Sequence, residues 1–330
     1  MKLSPQQIRS ITQGAARIVE DEKENVHFFR FSEEQEVSVI AHNDCYRRRS
    51  RGTSNIRMSF ETDSRTLSLC IEVDRIFTPC TYFGCSIFCN GEKVGMIGST
   101  EKIEGIHTGS YELPEGNKRI TIYFPWSAIT VLHALTLDDG ASLLPIRPSR
   151  RILVYGDSIT QGFDASLPEL PFSVRLADAF DADIRNKGLA GECFYPPLAT
   201  ISENFDPEYI LVSYGTNDWN GYCLETFQLN SRAFYENLRK LYPDVPIFAL
   251  SPVFRCDWDN IAKRPWDFSL VFEQLRALAD EIPGVTYIHG LDMFPNDPAY
   301  LQPDGVHPND LGFAAFGDNL IAALKKYIKA

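Results

Sequence analysis

The 330-residue sequence lacks any run of about 18 apolar residues, the length a membrane-spanning helix requires, so no membrane partner is expected. Its opening stretch, MKLSPQQIRSITQGAARIVEDEKENV, has no apolar core between a basic head and a cleavage site. It therefore reads as an amphipathic helix from Pro5 to about Val19 followed by an acidic turn, and cytoplasmic location is the default expectation. Basic residues are in deficit: 32 Lys and Arg stand against 44 Asp and Glu, giving a net charge of -12. Such a surface suits neither nucleic acid nor an anionic membrane, and a neutral small molecule fits it better than a polyanion. The eight cysteines include no CxxC pair, so neither a zinc site nor a small disulfide framework is indicated. Cys80, Cys85 and Cys89 lie close together, but in the strand-like segment TPCTYFGCSIFCNGEK, where cysteine packs as a small apolar residue. No metal is expected there. Internal repeats and low-complexity tracts are also missing.

What is present is an ordinary globular composition, 44% apolar and 23% charged, long enough for two cores. Two patterns divide it. From about Val26 to Leu144 the segments HFFRF, VSVIA, IRMSFET, TLSLCIEV, YFGCSIFCN, RITIYFP and VLHALTL read as strands. Turn residues separate several of them, Asn90-Gly91 being a hairpin tip. Many short strands with regular turns imply an all-β sandwich of jelly-roll type over residues 1–148, behind the N-terminal helix. After Pro145 and Pro148 the apolar segments 152–156, 182–188, 209–215, 246–252 and 285–290 alternate with helical patterns near 169–180, 224–241, 266–281 and 310–328. Continuous apolar strands between helices predict a parallel sheet covered on both faces, a three-layer α/β/α domain over 149–330.

Ligands of open parallel sheets bind beyond the carboxyl ends of the strands, so the loops there carry the chemistry. Gly156-Asp157-Ser158-Ile159-Thr160 follows the first of these strands and would expose the Ser158 hydroxyl on the turn into a helix. Such a Gly-Asp-Ser triplet arises by chance in about one chain in ten of this length, and Ser158 could equally cap the helix. Asn186-Lys187-Gly188-Leu189-Ala190-Gly191-Glu192 follows the second strand; a glycine N–H can approach a ligand without Cβ interference. Tyr214-Gly215-Thr216-Asn217-Asp218 follows the third, where the Asn217 amide could donate to an oxyanion above Ser158. Asp304-Gly305-Val306-His307-Pro308-Asn309 precedes the last helix. An Asp three residues before a His can hold Nδ1–H and leave Nε2 free to take a proton. The other histidines, His27, His42, His107, His133 and His289, have no such context and read as structural.

Taken together and in this order, the four segments resemble the sequence blocks of the SGNH (GDSL-like) hydrolases, with the glycine block the loosest because Glu192 stands where Asp or a small residue is common. The resemblance spans 151–330. It implies Ser158 as nucleophile, Asp304 and His307 as the rest of a triad, and an oxyanion hole from the N–H groups of Ser158 and Gly191 with the Asn217 amide. Gly188 is the alternative to Gly191. A jelly roll ahead of such a domain resembles the two-domain carbohydrate esterases of the second family, which deacetylate polysaccharides. The resemblance implies a serine esterase for short acyl esters, acetyl foremost, on a small molecule or oligosaccharide, without metal or organic cofactor.

Trp219, Trp258 and Trp266 lie near these blocks and are candidates for stacking on sugar rings or an acyl chain. The polar loop CDWDNIAKRPWD does not resemble a lipase lid. Rival readings are a lipase, lysophospholipase or thioesterase with the same residues, and a non-catalytic carbohydrate-binding protein. A dinucleotide enzyme would require G-x-G-x-x-G after the first α/β strand, which is absent. So is the G-x-S-x-G elbow of α/β-hydrolases, since Thr160 occupies the second glycine's place.

Overall fold

The computed structural model describes residues 1–77, 81–101, 103–260 and 266–328. The chain forms two units, each discontinuous in sequence: Met1–Ser32, Cys45–Ser149 and Ser166–Glu169 make one, and Glu33–Asp44, Arg150–Ala165 and Leu170–Ala330 the other. A single cut at 148/149 therefore misses two excursions. Among the described residues no helix is long and apolar enough to cross a membrane.

The first unit is a sandwich of two antiparallel sheets. One has the spatial order Thr12–Gln13, Arg57–Thr62, Lys118–Tyr123, Phe83–Cys89, Glu92–Ser99, with Leu144–Pro145 added beside Arg57–Thr62. The other runs Arg17–Glu20, Val26–Phe29, Ala128–Leu137, Thr66–Arg75, Gly105–Glu112. Period-two alternation builds the core: Leu67, Leu69, Ile71 and Val73 are all buried, as are Met58, Phe60, Ile120 and Ile122 on the opposite sheet. Burying each such side chain contributes about 1.5–3 kcal/mol. The expected hairpin tip is there, with Asn90 and Gly91 at φ 51° and 85° between the paired Cys89 and Glu92, a conformation that matches the twist of the strands. Cys85 and Cys89 are buried and free, while Cys80 lies outside the described residues.

Two sequence expectations fail here. The N-terminal helix is short, Pro5–Ile11. Thr12 is already extended, and Gly14 sits at φ 83° where a Cβ would meet the Asn55 carbonyl at 2.3 Å. The chain then enters strand Arg17–Glu20, and the acidic stretch is its hairpin turn, closed by the Asp21 carboxylate accepting the N–H groups of Lys23 and Asn25. The segment VSVIA is a helix, Glu33–His42, not a strand. Three glutamates in its first turn complement the helix dipole. Local alternation loses to that pattern and to the helix's contacts in the second unit.

In the second unit strands β1 (Arg150–Gly156), β2 (Ala182–Gly188), β3 (Tyr209–Ser213), β4 (Ile247–Leu250) and β5 (Val285–Ile288) form a wholly parallel sheet of order β2-β1-β3-β4-β5. Helices Phe172–Ala179 and Asp310–Leu324 pack together, Phe172 stacking on Phe316 at 4.3 Å. Leu224–Leu241 and Ser269–Glu281 also pack together, Phe234 meeting Tyr155 of β1. The helix Glu33–His42 belongs with this unit, through Gln35 to Glu203 and Ser38 to Tyr195.

β2 carries an ion into the interior: Lys187 Nζ lies 2.9 Å from Glu203, both side chains almost wholly buried. Removing one member of such a pair leaves an uncompensated charge, at a cost of about 3–5 kcal/mol. Lys187→Met is expected to lower the stability in chemical denaturation by about that amount, and adding Glu203→Gln should restore part of it. A Lys187→Met protein as stable as the wild type would show the pair to be neutral.

Candidate active site

β1 ends at Gly156, where a Cβ would lie 2.1 Å from Thr160 Oγ1 and 2.8 Å from the Ser213 carbonyl, so only glycine permits the tight passage into helix Ser158–Gln161. The helix is capped by Asp157, whose Oδ1 accepts the Ile159 N–H at 3.0 Å. Ser158 is thus not the cap. Its hydroxyl is left to His307, Nε2 to Oγ 2.8 Å. The chain leaves this helix through Gly162 at φ 98°.

His307 is presented by a closed loop. Leu301 bridges Pro308, the Gln302 N–H donates to the His307 carbonyl at 2.7 Å, and Asn309 caps the following helix. Within the loop Asp304 Oδ2 lies 2.5 Å from His307 Nδ1, while Oδ1 accepts the N–H groups of Val306 and His307 at 2.9 and 3.0 Å. Partial burial alone would raise the Asp304 pKa. The imidazole hydrogen bond and the two backbone donors outweigh it and hold the carboxyl at about 2. Phe163 lies against the imidazole, ring centroids 4.4 Å apart.

The two candidate glycines part company. The Gly188 N–H donates to the Asn186 side chain at 2.7 Å, and its α-carbon is pressed against the helix of Ser158. Gly191, at φ 85°, is exposed, between an Ala190 N–H bound to Gln161 and a Glu192 N–H bound to Leu189. Among the described residues no protein acceptor faces the N–H of Ser158 or of Gly191. Asn217 stands in the first turn of helix Thr216–Gly221, entered through Gly215 at φ 122°. Its Nδ2 donates to the Glu192 carbonyl at 2.9 Å, tying the third loop to the second and leaving its other hydrogen for a ligand.

The tryptophans correct the sequence reading. Trp219 and Trp266 are buried, so neither face is open to a sugar or an acyl chain. Trp219 Nε1 donates to the Trp266 carbonyl, Trp266 Nε1 to the Tyr222 carbonyl, and Trp266 stacks on Phe227. They hold the Asn217 helix. Trp258 alone of the three is exposed, and residues 261–265 of its loop lie outside the described residues.

Sequence reasoning missed several neighbours. Buried Arg255, after β4, grips Asp257 with Nε and Nη2, donates to the Thr216 carbonyl and lies 4.9 Å over Trp219. Its place beyond a strand's carboxyl end was the available signal. His42, read as structural, stacks on Tyr195 at 4.1 Å and comes within 3.6 Å of Glu192, beside the Gly191 loop. Burial lowers its pKa. Behind the loops lie two further carboxyls: burial pushes Asp157 up to about 6 and Asp218 up to about 7.

Asp164, Asp304 and His307 have potential ligand atoms within 4.8 Å of one another. Both imidazole nitrogens are already engaged, by Asp304 and Ser158, so a metal there would have to break one of those bonds. The arrangement can move a proton between a hydroxyl and an imidazole.

Residues 154–315 match the model of the GDSL-like Lipase/Acylhydrolase family. The whole chain is similar in structure to the salicylyl-acyltransferase SsfX3 of a tetracycline biosynthetic pathway, with 22% identity, TM-score 0.83, and 97% and 96% of the two chains covered. A putative GDSL-like lipase from Bacteroides ovatus gives 18% identity, TM-score 0.77 and coverage of 99% and 97%. A family two carbohydrate esterase from Clostridium thermocellum, in complex with cellohexaose, gives 15%, 0.63, and 83% and 92%. At these identities the likeness is one of fold. No protein among the curated sequences compared matches the chain. The α/β unit is a GDSL-like lipase/acylhydrolase domain of the SGNH type, and a β-sandwich unit accompanies it as in the carbohydrate esterases it resembles.

Proposed function

We propose that the protein is a serine esterase for short acyl esters, acetyl foremost, carried on a carbohydrate or a similarly hydroxylated small molecule. The observation that carries this reading is the unbroken chain Asp304–His307–Ser158, with hydrogen bonds of 2.5 and 2.8 Å. His307 Nε2 takes the Ser158 proton as Oγ attacks the ester carbonyl. The carbonyl oxygen gains negative charge facing the Ser158 and Gly191 N–H groups and the Asn217 amide, each donor worth about 3 kcal/mol in the transition state. The imidazolium returns its proton to the leaving alcohol, giving an acyl-serine. Water, deprotonated by His307, then attacks that ester and regenerates the hydroxyl.

A second reading shares every step but the last. An alcohol in place of water would make the protein an acyltransferase. The likeness to the salicylyl-acyltransferase over nearly the whole chain favours this reading, and the oligosaccharide complex of the carbohydrate esterase favours a sugar as the alcohol.

With p-nitrophenyl acetate, Ser158→Ala is expected to lower kcat by at least about 10³-fold and Asn217→Ala by about 10²-fold. Undiminished turnover by Ser158→Ala would end the proposal. Lengthening the acyl chain from acetate to octanoate should reduce kcat/KM, whereas a rise would point to a lipase. Acetylated xylo- and gluco-oligosaccharides, followed by NMR, would separate free acetate from transfer to an added alcohol.

pH is expected to act in two opposed ways. Activity should fall as pH drops, because a protonated imidazole cannot take the serine proton. Stability should change in the other direction. Asp218 has its folded pKa raised from 3.8 to about 7, so the folded state holds a proton that the unfolded chain releases. That contribution is full below the unfolded value and lost as pH rises through about 7. Thermal melts between pH 5 and 8 should show the decline, and Asp218→Asn should flatten it. An unchanged slope in that variant would remove Asp218 as its cause.

A further inference from the structure

The imidazole of His307 has more than one carboxylate beside it. Among the described residues the charged groups that face it are Asp304 on its own loop, Asp157 at the cap of helix Ser158–Gln161, and Asp164 on the turn that leaves that helix. Asp304 binds the ring directly, and Asp157 spends an oxygen on the Ile159 N–H. Asp164 is different. It is half-buried, its carboxylate makes no hydrogen bond to a described residue, and one of its oxygens lies within 4.8 Å of both a His307 ring nitrogen and an Asp304 oxygen.

The backbone around it is built to hold it there. Gly162 at φ 98° turns the chain out of the helix, the Phe163 N–H returns to the Ser158 carbonyl at 2.9 Å, and Asp164 itself takes φ 67°. A left-handed conformation is unfavourable for most side chains and tolerated by Asp, so the turn is maintained against a local preference. Gln302 fixes it from the other side: its side chain donates to the Asp164 carbonyl at 2.9 Å while its own N–H donates to the His307 carbonyl at 2.7 Å. One residue thus ties Asp164 and His307 into the same frame.

We propose that Asp164 is a positioning residue of this site, whose carboxylate supplies a second negative charge to the His307 imidazolium and so shares the work of Asp304. Through-space attraction requires no hydrogen bond, and a carboxylate within about 5 Å shifts the ionisation of a cation by roughly one unit. The charge is useful only while the ring is protonated, which is the interval between attack by Ser158 and departure of the alcohol. This role rests on the proposed acyl-serine mechanism. The electrostatic coupling beneath it is measurable without any substrate.

The experiment is an NMR titration of the His307 ring in the resting protein, wild type against Asp164→Asn. Asn occupies left-handed backbone as readily as Asp, so the substitution removes charge and little else. The imidazole pKa is expected to fall by roughly one unit, with kcat down about tenfold, KM little changed, and the acidic limb of the pH–rate profile displaced by the same amount. Asp304→Asn/Asp164→Asn should be slower than Asp304→Asn alone. Should Asp164→Asn fold poorly, Asp164→Gly, at home at this φ, carries the same expectation. An imidazole pKa unmoved by either substitution overturns the proposal, whatever Ser158→Ala does to turnover. A fall in pKa alongside an active Ser158→Ala protein would leave the coupling standing and remove the mechanism instead.

Discussion

The hydrogen bond from Ser158 to His307 joins residues 149 positions apart, and nothing local holds it in place. Every nearby feature serves to bring two short side chains to 2.8 Å without either being free to turn away. On one side the parallel register places Gly188, Gly156 and Ser213 abreast at the carboxyl ends of β2, β1 and β3, so the loops that follow leave the sheet at one level. On the other, the Leu301–Pro308 bridge closes the histidine loop on itself, and Asp304 holds the ring at Nδ1 and the loop through the backbone N–H groups of Val306 and His307. The geometry of the site is thus the geometry of strand ends, which the interior of the sheet determines.

The loops that carry Gly191 and Asn217 rest on the same logic carried one layer out. Asn217 is held by the Glu192 carbonyl, and its helix by Arg255, Trp219 and Trp266. Arg255 joins the loop after β4 to the loop after β3, and the Cys256 N–H donates to the Gly305 carbonyl, joining it to the histidine loop as well. Four loops are therefore cross-linked in series by main-chain acceptors. Preorganisation of this kind is what makes an oxyanion donor effective, because it does not have to reorient as charge develops.

The parts of this arrangement written in short stretches of sequence were legible there. β1 is an apolar run between turn signals, and Asp304 sits three residues from His307 because a tight loop needs no more. Glycine choice was half legible: Gly188 ends β2 and Gly191 follows it, and the capture of the Gly188 N–H by Asn186 helps to separate them. What stayed hidden depends on partners far along the chain. Trp219 looks like a cleft aromatic until the Trp266 carbonyl, 47 residues on, takes its N–H. VSVIA alternates as a strand does, yet its glutamate-rich start and its partners in the second unit, Glu203 and Tyr195, make it a helix. Asp164 carries no motif, since its nearness to the imidazole depends on Gln302, 138 residues away.

The buried carboxyls show what this preorganisation demands. Asp157 is the residue that frees Ser158 from capping, and Asp218 anchors the Phe194 N–H behind the Asn217 helix. Both sit where water cannot reach, so burial raises the pKa of each, Asp218 the more so because Asp157 is near. An apolar residue at either position would avoid that penalty and lose the backbone hydrogen bond, leaving a buried N–H unsatisfied. The fold keeps the acids, and the loops stay rigid. A rise in pH through this range charges these carboxyls in the interior, at a cost to the stability of the fold.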